Sequence, residues 1–518
     1  MGTDRQNIMA AGIAAVSMIA CTKATAPDTT GDNKTADTGK NPNVILILAD
    51  DMGFGDISGL NSDSKISTPE IDRLCSSGIV FTNAHASSSM STPSRYSILT
   101  GRYPWRTSLK QGVLNSTAAP MIAKGRPTIG NMFKGNGYST ACIGKWHLGL
   151  GWQLNGNDIN YGASIEDGPT TRGFDYFYGI AASLDMPPYV YIENDRVTQV
   201  PTKILPERTG LQRMRSGDWA EEFIPEDVFP NMTRRTVCYI ESRQSSDKPY
   251  FLYLPLTAPH TPVLPSAEFS GKSPIGAYGD FVMMIDDMVG QVVKALKATG
   301  KYDNTIIIFA TDNGCAHYIG TRNMEKQGHY PSYIYRGYKS DIFEGGHRVP
   351  LIVSWNGRTS GRKNDSPVCL SDFYATFAQM LGVSLAANEA EDSFSFYDIL
   401  TGKGKSARTD IVATSNDGSF SLTRNDLKVI FTPTSGGWST PESGSDVSGL
   451  PEMQIYEISG DPKEKCNLYG SSTYKDIVMQ YKSAMRDYVR NGRSTPGAST
   501  VNDTSDDWKQ TRPFMSDN

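Results

Sequence analysis

Three continuous apolar runs are the strongest structural signals in the chain. They occupy residues 43–49 (Asn-Val-Ile-Leu-Ile-Leu-Ala), 251–256 (Phe-Leu-Tyr-Leu-Pro-Leu) and 305–311 (Thr-Ile-Ile-Ile-Phe-Ala-Thr). Apolar runs without alternation are typical of strands buried on both faces of a parallel sheet. Residues 278–299 instead carry apolar side chains at helical spacing, which predicts a helix between the last two runs. We therefore predict an α/β fold, with a large mixed, mostly parallel sheet flanked by helices.

The pattern changes near residue 396. Residues 419–423 and 427–432 alternate between polar and apolar side chains, which predicts antiparallel strands. Residues 435–449 are rich in Gly, Ser and Pro and predict a surface loop, whereas residues 474–490 predict a closing helix. We expect a larger N-terminal domain over residues 43–395 and a smaller C-terminal α+β subdomain, with an antiparallel sheet, over residues 396–518.

The N-terminal segment predicts export. Residues 8–20 form an apolar run that is too short to span a bilayer and of the right length for a signal peptide. The small residue before Cys21 resembles a bacterial lipoprotein cleavage box, so residues 1–21 would be removed or end in a lipidated Cys21. A plain signal peptide or a buried helix is the alternative, and Asp4 cancels the positive charge of Arg5 that a signal should carry. Residues 22–42 contain almost nothing apolar and predict a flexible tether. We expect a periplasmic protein, or a lipoprotein attached to a membrane only through Cys21, in a Gram-negative bacterium.

Composition narrows the class of partner. The 518 residues are 38% hydrophobic and 20% charged, as in a globular protein with a large core. The net charge of −5 comes from acidic and basic residues scattered along the chain, so no basic face suggests nucleic acid. The seven cysteines form no CxxC pair and predict neither a zinc site nor a dense disulfide framework. An anionic substrate would need a local positive pocket.

Polar residues follow the buried runs. Asp50 and Asp51 come directly after the first run, Asp312 and Asn313 come after the third, and His260 follows the second. Because ligand sites in open α/β sheets lie outside the carboxyl ends of the strands, we expect these residues to converge. Carboxylate and amide oxygens suit a hard cation, with Ca²⁺ the first choice and Mg²⁺ the second. For either pair alone, a turn that caps a strand is the simpler interpretation.

Residues 91–102 (Ser-Thr-Pro-Ser-Arg-Tyr-Ser-Ile-Leu-Thr-Gly-Arg) resemble the signature of the sulfatase family, in its serine-type form. Alone, a Ser-rich turn with proline is a common loop. The other segments that resemble the family's motifs follow in the family's order, and the resemblance extends from residue 43 to about residue 490. These segments are residues 50–51, 144–149 (Gly-Lys-Trp-His-Leu-Gly), 258–262 (Ala-Pro-His-Thr-Pro), 312–314, 336–339 (Arg-Gly-Tyr-Lys), 344–350 and 456–462.

The resemblance implies that a radical maturation enzyme converts Ser91 to formylglycine, a built-in cofactor. The hydrate of this aldehyde carries two hydroxyls on one carbon, so one can take the sulfate and the other can then expel it, without water attacking sulfur. The domain over residues 43–395 would therefore carry the catalysis. The metal would be held by Asp50, Asp51, Asp312, Asn313 and residue 91.

The resemblance also implies roles for the basic side chains. Arg95 would hold the hydrate and the charge cluster, and Lys145 and Lys339 would neutralise the sulfate oxygens. His260 would be the general acid, assisted by Lys339, and His147 the base that triggers collapse. Of the other histidines, His85 and His329 are expected to be structural and His347 to support the pocket.

Substrate choice would lie with two loops, residues 181–191 and 315–335. Asp185, Tyr189, His317 and Arg322 are the candidate substrate contacts, although His317 and the others also fit ordinary surface loops. The polar and aromatic content of these loops suits a sugar ring. We expect an exo-acting carbohydrate sulfatase for glycan degradation, acting on sulfated galactose or N-acetylgalactosamine.

Two other functions remain open from the sequence. One is a phosphatase or phosphodiesterase of the same alkaline-phosphatase-like superfamily that uses unmodified Ser91. Such enzymes usually hold two zinc ions with more histidine ligands, whereas Asn313 occupies one metal position here. The other is a non-catalytic glycan-binding lipoprotein, but the full set of catalytic residues is present.

Overall fold

The three apolar runs form adjacent strands at the centre of a ten-stranded sheet. In the computed structural model of the chain, which describes residues 41–516, the first run is β1 (Asn43–Asp50). It lies between β12 (Tyr250–Pro259) and β13 (Thr305–Thr311) and is parallel to both. Every residue of these three strands is buried, which explains the absence of alternation in the sequence.

The remaining strands and helices lie in chain order around these three. The strands are β2 (Ile79–Phe81), β3 (Ala84–His85), β4 (Ser139–Lys145), β5 (Leu154–Asn155), β6 (Asp158–Ile159), β7 (Tyr176–Ile180), β8 (Ile192–Glu193), β9 (Arg196–Val197), β10 (Lys203–Leu205), β11 (Gly217–Trp219), β14 (Leu351–Trp355), β15 (Arg362–Asn364), β16 (Val368–Cys369), β17 (Asp410–Thr414), β18 (Phe420–Arg424), β19 (Leu427–Ile430) and β20 (Gln454–Glu457). The helices are α1 (Pro69–Ser77), α2 (Ser91–Thr100), α3 (Ile129–Gly135), α4 (Val228–Ser242), α5 (Ala277–Ala298), α6 (Thr321–Lys326), α7 (Glu344–His347), α8 (Phe373–Leu381), α9 (Tyr397–Leu400), α10 (Lys475–Arg490) and α11 (Arg512–Met515).

The large sheet is mixed, with a parallel centre. Its strand order is β15-β2-β14-β13-β1-β12-β4-β7-β8-β9, and the five neighbours from β13 to β7 are parallel to one another. Strands β14 and β8 run antiparallel on either side of this centre. The predicted α/β class with a mostly parallel sheet is confirmed, and the carboxyl ends of five strands share one edge.

Helices cover both faces of the sheet. Alternate side chains of β1 point to opposite faces, so Ile45 and Ile47 belong to one core and Leu46 and Leu48 to the other. Helices α1, α4 and α5 cover the first face, and α2, α3 and α8 cover the second. The helix predicted over residues 278–299 is α5, displaced by one residue.

The C-terminal part contains the predicted antiparallel sheet, in the order β17-β18-β19-β20. Helix α10 packs against it, and Tyr481 in this helix donates a hydrogen bond to the carbonyl oxygen of Arg424 at 2.9 Å. Tyr103 and Trp105 share the hydrophobic core of this sheet. Because the two parts share a core, the division of the chain at residue 396 stays a prediction.

The predicted signal segment, Cys21 and the tether up to residue 40 lie outside the described residues. Asn41 and Pro42 already contact the folded body, since the Pro42 carbonyl oxygen accepts a hydrogen bond from the Tyr138 hydroxyl at 2.9 Å. Within residues 41–516, no helix combines the length and apolar character needed to cross a bilayer.

Candidate active site

The predicted metal ligands converge at the carboxyl edge of the sheet. Carboxylate oxygens of Asp50, Asp51 and Asp312 lie within 4.8 Å of one another, and all three residues are buried. The backbone N–H of Asp51 donates to Asp312 Oδ1 at 3.2 Å, which ties the end of β1 to the end of β13. Asp51 has a φ of 65°, a left-handed conformation that costs free energy in a residue other than glycine. Packing of the two strand ends therefore holds a strained carboxylate in place.

Ser91 is the first residue of α2 and faces these carboxylates. Its Oγ donates to Asp50 Oδ1 at 3.1 Å and lies 3.4 Å from Asn313 Oδ1. Arg95 lies four residues later on the same helix face. The Arg95 Nη2 is 2.8 Å from Asp312 Oδ2 and 3.4 Å from Asp50 Oδ1. One helix thus delivers both the hydroxyl and a cation.

Two lysines complete the charge cluster. Lys145, the last residue of β4, places its Nζ 2.8 Å from Asp50 Oδ2 and 3.5 Å from Ser91 Oγ. The Nζ of Lys339 lies 2.7 Å from Asp51 Oδ2. Since buried charges are costly unless they are paired, these contacts account for the burial of the lysines.

Burial and the neighbouring charges shift the pKa values of this cluster in different directions. Burial alone would raise the pKa of Asp50, but Lys145 and the other nearby cations hold it well below its usual range. Burial raises the pKa of Asp312 although Arg95 lies beside it, and burial lowers the pKa of Lys145. Burial would also lower the pKa of Lys339, but the Asp51 carboxylate raises it above its usual value. Asp50 is therefore ionised at neutral pH even though water does not reach it.

His147 has one ring nitrogen available for chemistry. Its Nε2 lies 2.9 Å from the carbonyl oxygen of Leu114, which can only accept, so Nε2 carries the proton. Nδ1 is then the acceptor, and it is buried without a hydrogen-bond partner among the described residues. Burial, with the charges of Lys145 and Arg95, lowers the pKa of His147 well below its usual value. His147 is therefore a neutral imidazole with a free lone pair.

His260 follows β12 directly. Its Nδ1 contacts the carbonyl oxygen of Thr261 and so carries a proton, and its Nε2 lies 3.6 Å from Asp51 Oδ2. The ring also lines the wall of the cavity described below. The Nε2 atom is therefore placed where a bound substrate could meet it.

A cavity of about 1030 Å³ opens above Ser91. Ser91, His147, His260 and Lys339 line its inner end. The side chains that line the rest of the cavity come from several loops and include Asp185, Met186, Arg213, Arg215, Tyr318, Asn323, Asn416 and Trp438. A cavity of this size admits a ligand larger than a sulfate ion.

The four predicted substrate contacts occupy different surroundings. Asp185 lines the cavity, with Oδ2 3.5 Å from Arg215 Nη2 and Oδ1 buried without a hydrogen-bond partner among the described residues. Tyr189 is buried behind it, and its hydroxyl donates to the backbone carbonyls of Asp185 and Arg215. His317 and Arg322 are exposed and do not line the cavity. Asp185 is therefore the predicted contact that lies inside the site, and Tyr189 supports it from behind.

Three cavity residues were not singled out in the sequence. Arg213 and Arg215 lie on the loop between β10 and β11. Trp438 lies in the loop predicted over residues 435–449, where its N–H donates to Asp341 Oδ1 at 3.0 Å and its ring packs against His317 and Tyr318. A lone tryptophan in a Gly- and Ser-rich loop was the one signal that could have indicated Trp438.

The remaining histidines are buried away from the cavity lining. The His85 and His347 Nδ1 atoms lie 3.0 Å apart, and His347 Nε2 lies 3.1 Å from the Nζ of Lys428. The Nε2 of His329 lies 2.9 Å from Asp56 Oδ1. His347, which was expected to support the pocket, instead belongs to a buried polar network around α7.

The carboxylate cluster fits a hard divalent cation. Its donors are the oxygens of Asp50, Asp51 and Asp312, and the Oδ1 of Asn313 faces the same point as Ser91 Oγ. Histidine and thiolate ligands, which favour zinc, are absent from this cluster within residues 41–516. Oxygen donors without nitrogen or sulfur suit Ca²⁺ or Mg²⁺.

An α/β sheet whose strand ends bring carboxylates, buried cations and a helix-borne hydroxyl into one cavity defines a hydrolase of anionic esters. A family model described as Sulfatase matches residues 42–383. The chain belongs to the sulfatase family and is a sulfuric ester hydrolase.

Individual relatives agree with this assignment. An N-acetylgalactosamine-6-O-sulfatase of Bacteroides thetaiotaomicron is 33% identical over 475 residues, which cover 83% of this chain and 91% of the relative. Human steryl-sulfatase is 31% identical over 428 residues, covering 71% of each chain. A solved sulfatase structure from work on the metabolism of multiple glycosaminoglycans by Bacteroides thetaiotaomicron superposes with a TM-score of 0.76 at 30% identity, covering 86% of this chain and 99% of that one.

Proposed function

We propose that the protein removes sulfate from the ends of carbohydrate chains, with 6-sulfated N-acetylgalactosamine or galactose as the terminal sugar, and that Ser91 acts after conversion to formylglycine. The observation that carries this proposal is the position of Ser91 Oγ, which faces Asp50, Asn313 and Lys145 at once. A nucleophile at this point has a metal cluster on one side and an ammonium on the other.

Sulfate ester chemistry fits this nucleophile better than phosphate chemistry. The carboxylate cluster has the size and donors for one hard cation, rather than a pair of histidine-bound zinc ions. Unmodified Ser91 would form a stable sulfate ester after attack on sulfur. Formylglycine supplies a hydrate with a second hydroxyl on the same carbon, whose deprotonation releases the sulfate.

The buried cations and histidines divide the work of bond cleavage. Lys145 and Lys339 would neutralise the sulfate oxygens as negative charge shifts toward the leaving group. His260 would donate a proton through Nε2 to the sugar oxygen, because an alkoxide is a poor leaving group without one. His147, whose Nδ1 has a free lone pair, would accept the proton that starts sulfate release. A Ca²⁺ ion held by Asp50, Asp51, Asp312 and Asn313 would supply positive charge that acidifies and orients the nucleophile.

The outer part of the cavity supports a sugar as the leaving group. Asp185 Oδ1 is a buried acceptor without a partner, and an unpaired acceptor of this kind is costly unless a ligand donates to it. Sugar hydroxyls are suitable donors. Tyr318 and Trp438 present aromatic surface to the same cavity, on which the apolar face of a ring can pack. The name of the Bacteroides relative supports the 6-O position of N-acetylgalactosamine as the first one to test.

Export belongs to the same proposal. A glycan substrate is encountered outside the cytoplasm, which agrees with the predicted signal segment and with lipidation of Cys21. A radical maturation enzyme in the host would have to act on Ser91 for the protein to be active.

The test is release of sulfate by protein purified from its native host. The panel would contain the 4- and 6-sulfates of N-acetylgalactosamine, galactose 6-sulfate, glucosamine 6-sulfate, a steroid sulfate and galactose 6-phosphate. We expect turnover of the 6-sulfates of N-acetylgalactosamine or galactose. Preferred turnover of the phosphate or the steroid sulfate would reject the proposed substrate class.

A further inference from the structure

A second cavity, of about 460 Å³, lies beside the catalytic one. We call it the tyrosine cleft, after the side chains that line it: Tyr330, Tyr333, Tyr335 and Tyr338, with Lys463 and Lys465. Helix α6 contributes to both cavities, since Asn323 and Met324 line the catalytic cavity and Glu325 lines the cleft. Tyr338 likewise lines the cleft, and the next residue, Lys339, lines the catalytic cavity. A single segment of chain therefore forms the wall between them.

The two cleft lysines are cations without an ion-pair partner. Among the described residues, no carboxylate lies within ion-pair distance of Lys463 or Lys465, and both side chains are exposed. The Nζ of Lys463 lies 5.8 Å from the ring centroid of Tyr330. Arg336 also lines the cleft, but it is already engaged, because its Nη1 donates to the carbonyl oxygen of Glu464 at 2.7 Å. The positive charge available to a ligand is therefore that of the two lysines.

The cleft also carries one carboxylate and an exposed aromatic surface. Glu325 opposes the lysines, but it accepts a hydrogen bond from the Tyr338 hydroxyl, so part of its charge is already compensated. Tyr330 is 44% exposed and Ile334, in the same segment, is 41% exposed. Exposed aromatic rings beside unpaired cations suit a ligand with both a sugar ring and an anionic group.

The wall of the cleft is held rigidly. Tyr333 has a φ of 57°, and its ring stacks on Phe54 at 5.9 Å and packs against Tyr335 at 6.1 Å. Its N–H donates to the carbonyl oxygen of Tyr330 at 2.8 Å. A strained conformation that persists through packing keeps the aromatic surface in one arrangement, which lowers the entropic cost of binding.

We propose that the tyrosine cleft is a second, non-catalytic binding site for an acidic glycan chain. A sulfate or carboxylate of the chain contacts Lys463 and Lys465, and a sugar ring lies on Tyr330. The assignment of a glycan as the ligand rests on the proposed carbohydrate sulfatase function. By holding a polymer next to the active site, the cleft raises the effective concentration of chain ends.

The test compares binding of a polymer with turnover of a monosaccharide. Binding of chondroitin 6-sulfate polymer would be measured by calorimetry on the full chain carrying Ser91→Ala, which prevents turnover. The cleft variant adds Lys463→Ala and Lys465→Ala, and a charge-preserving variant adds Lys463→Arg and Lys465→Arg. The matched control adds Lys403→Ala and Lys405→Ala, which have the same spacing and exposure but line neither cavity.

We expect the Lys463→Ala, Lys465→Ala variant to bind the polymer about tenfold more weakly, while the arginine variant and the control pair bind as the parent does. With Ser91 restored, the cleft variant should hydrolyse the monosaccharide sulfate at the parental rate. Unchanged polymer binding, an equal loss in the control pair, or equal retention of an uncharged dextran would each overturn the proposal. Failure of the parent to release sulfate from any sugar would reject the proposed function, whereas the binding result would still decide the cleft.

Discussion

The Nζ of Lys145 lies 2.8 Å from Asp50 Oδ2, although 95 positions separate the two residues in the sequence. The same Nζ lies 3.5 Å from Ser91 Oγ, so this ammonium links the metal cluster to the nucleophile. Both residues end strands of the parallel centre of the sheet, which explains how they meet.

Replacement of Lys145 should therefore abolish most of the turnover. We expect Lys145→Met to lower kcat on sugar sulfates by about 10²- to 10³-fold, since it removes one preorganised charge from the sulfate oxygens. The matched control is Lys134→Met, which changes an exposed lysine on α3. A kcat within twofold of the parent in folded Lys145→Met protein would exclude this role.

The general acid assignment predicts a dependence on the leaving group. His260→Ala should lower kcat on a sugar sulfate by about 10²- to 10⁴-fold, because the alkoxide needs a proton. The loss on 4-nitrophenyl sulfate should be much smaller, because a nitrophenolate leaves without protonation. The control is His317→Ala, which changes an exposed histidine outside the cavity lining. Equal losses on both substrates would show that His260 does not act as the acid.

The carboxylate cluster predicts stabilisation by a divalent cation. Treatment with a chelator should abolish activity and lower the melting temperature, and added Ca²⁺ should restore both, because a ligand that binds only the folded state stabilises it. Recovery with Ca²⁺ but not with Mg²⁺ would identify the preferred ion. Activity and melting temperature that do not respond to chelation would contradict the site.

Much of this arrangement follows from the sequence because it depends on strands that are buried on both faces. The apolar run before Asp50 and the one before Asp312 predict both the strands and the shared edge where the carboxylates meet. The cavity lining was harder to predict. Trp438 reaches the cavity through contacts between its loop and Asp341, and no local pattern encodes such a contact. Tyr189 fitted a sugar-binding loop by composition, but its hydroxyl is satisfied by backbone carbonyls behind the wall.

The buried network around His347 predicts loss of stability in acid. Burial, with the charge of Lys428, lowers the pKa of His347 to about 3 from a usual 6.5. The unfolded chain therefore takes up a proton that the folded chain refuses, so this contribution is present above pH 6.5 and is lost as the pH falls toward 3. The loss should amount to a few kcal/mol at the acid end of this range.

Denaturant unfolding of the parent and of His347→Gln between pH 7 and pH 5 checks this expectation. The parent should lose more free energy of unfolding over this interval than the variant does. A parallel pH dependence in the two proteins would show that His347 does not contribute.

The most direct test of the account is mass spectrometry of the peptide that contains residue 91, on active protein purified from the native host. Conversion of the Ser91 hydroxyl to an aldehyde removes two hydrogens, so the account predicts a peptide lighter by about two mass units. Protein expressed without a maturation enzyme should keep Ser91 intact and be folded but nearly inactive. An unmodified serine in protein that releases sulfate at full rate would contradict the account.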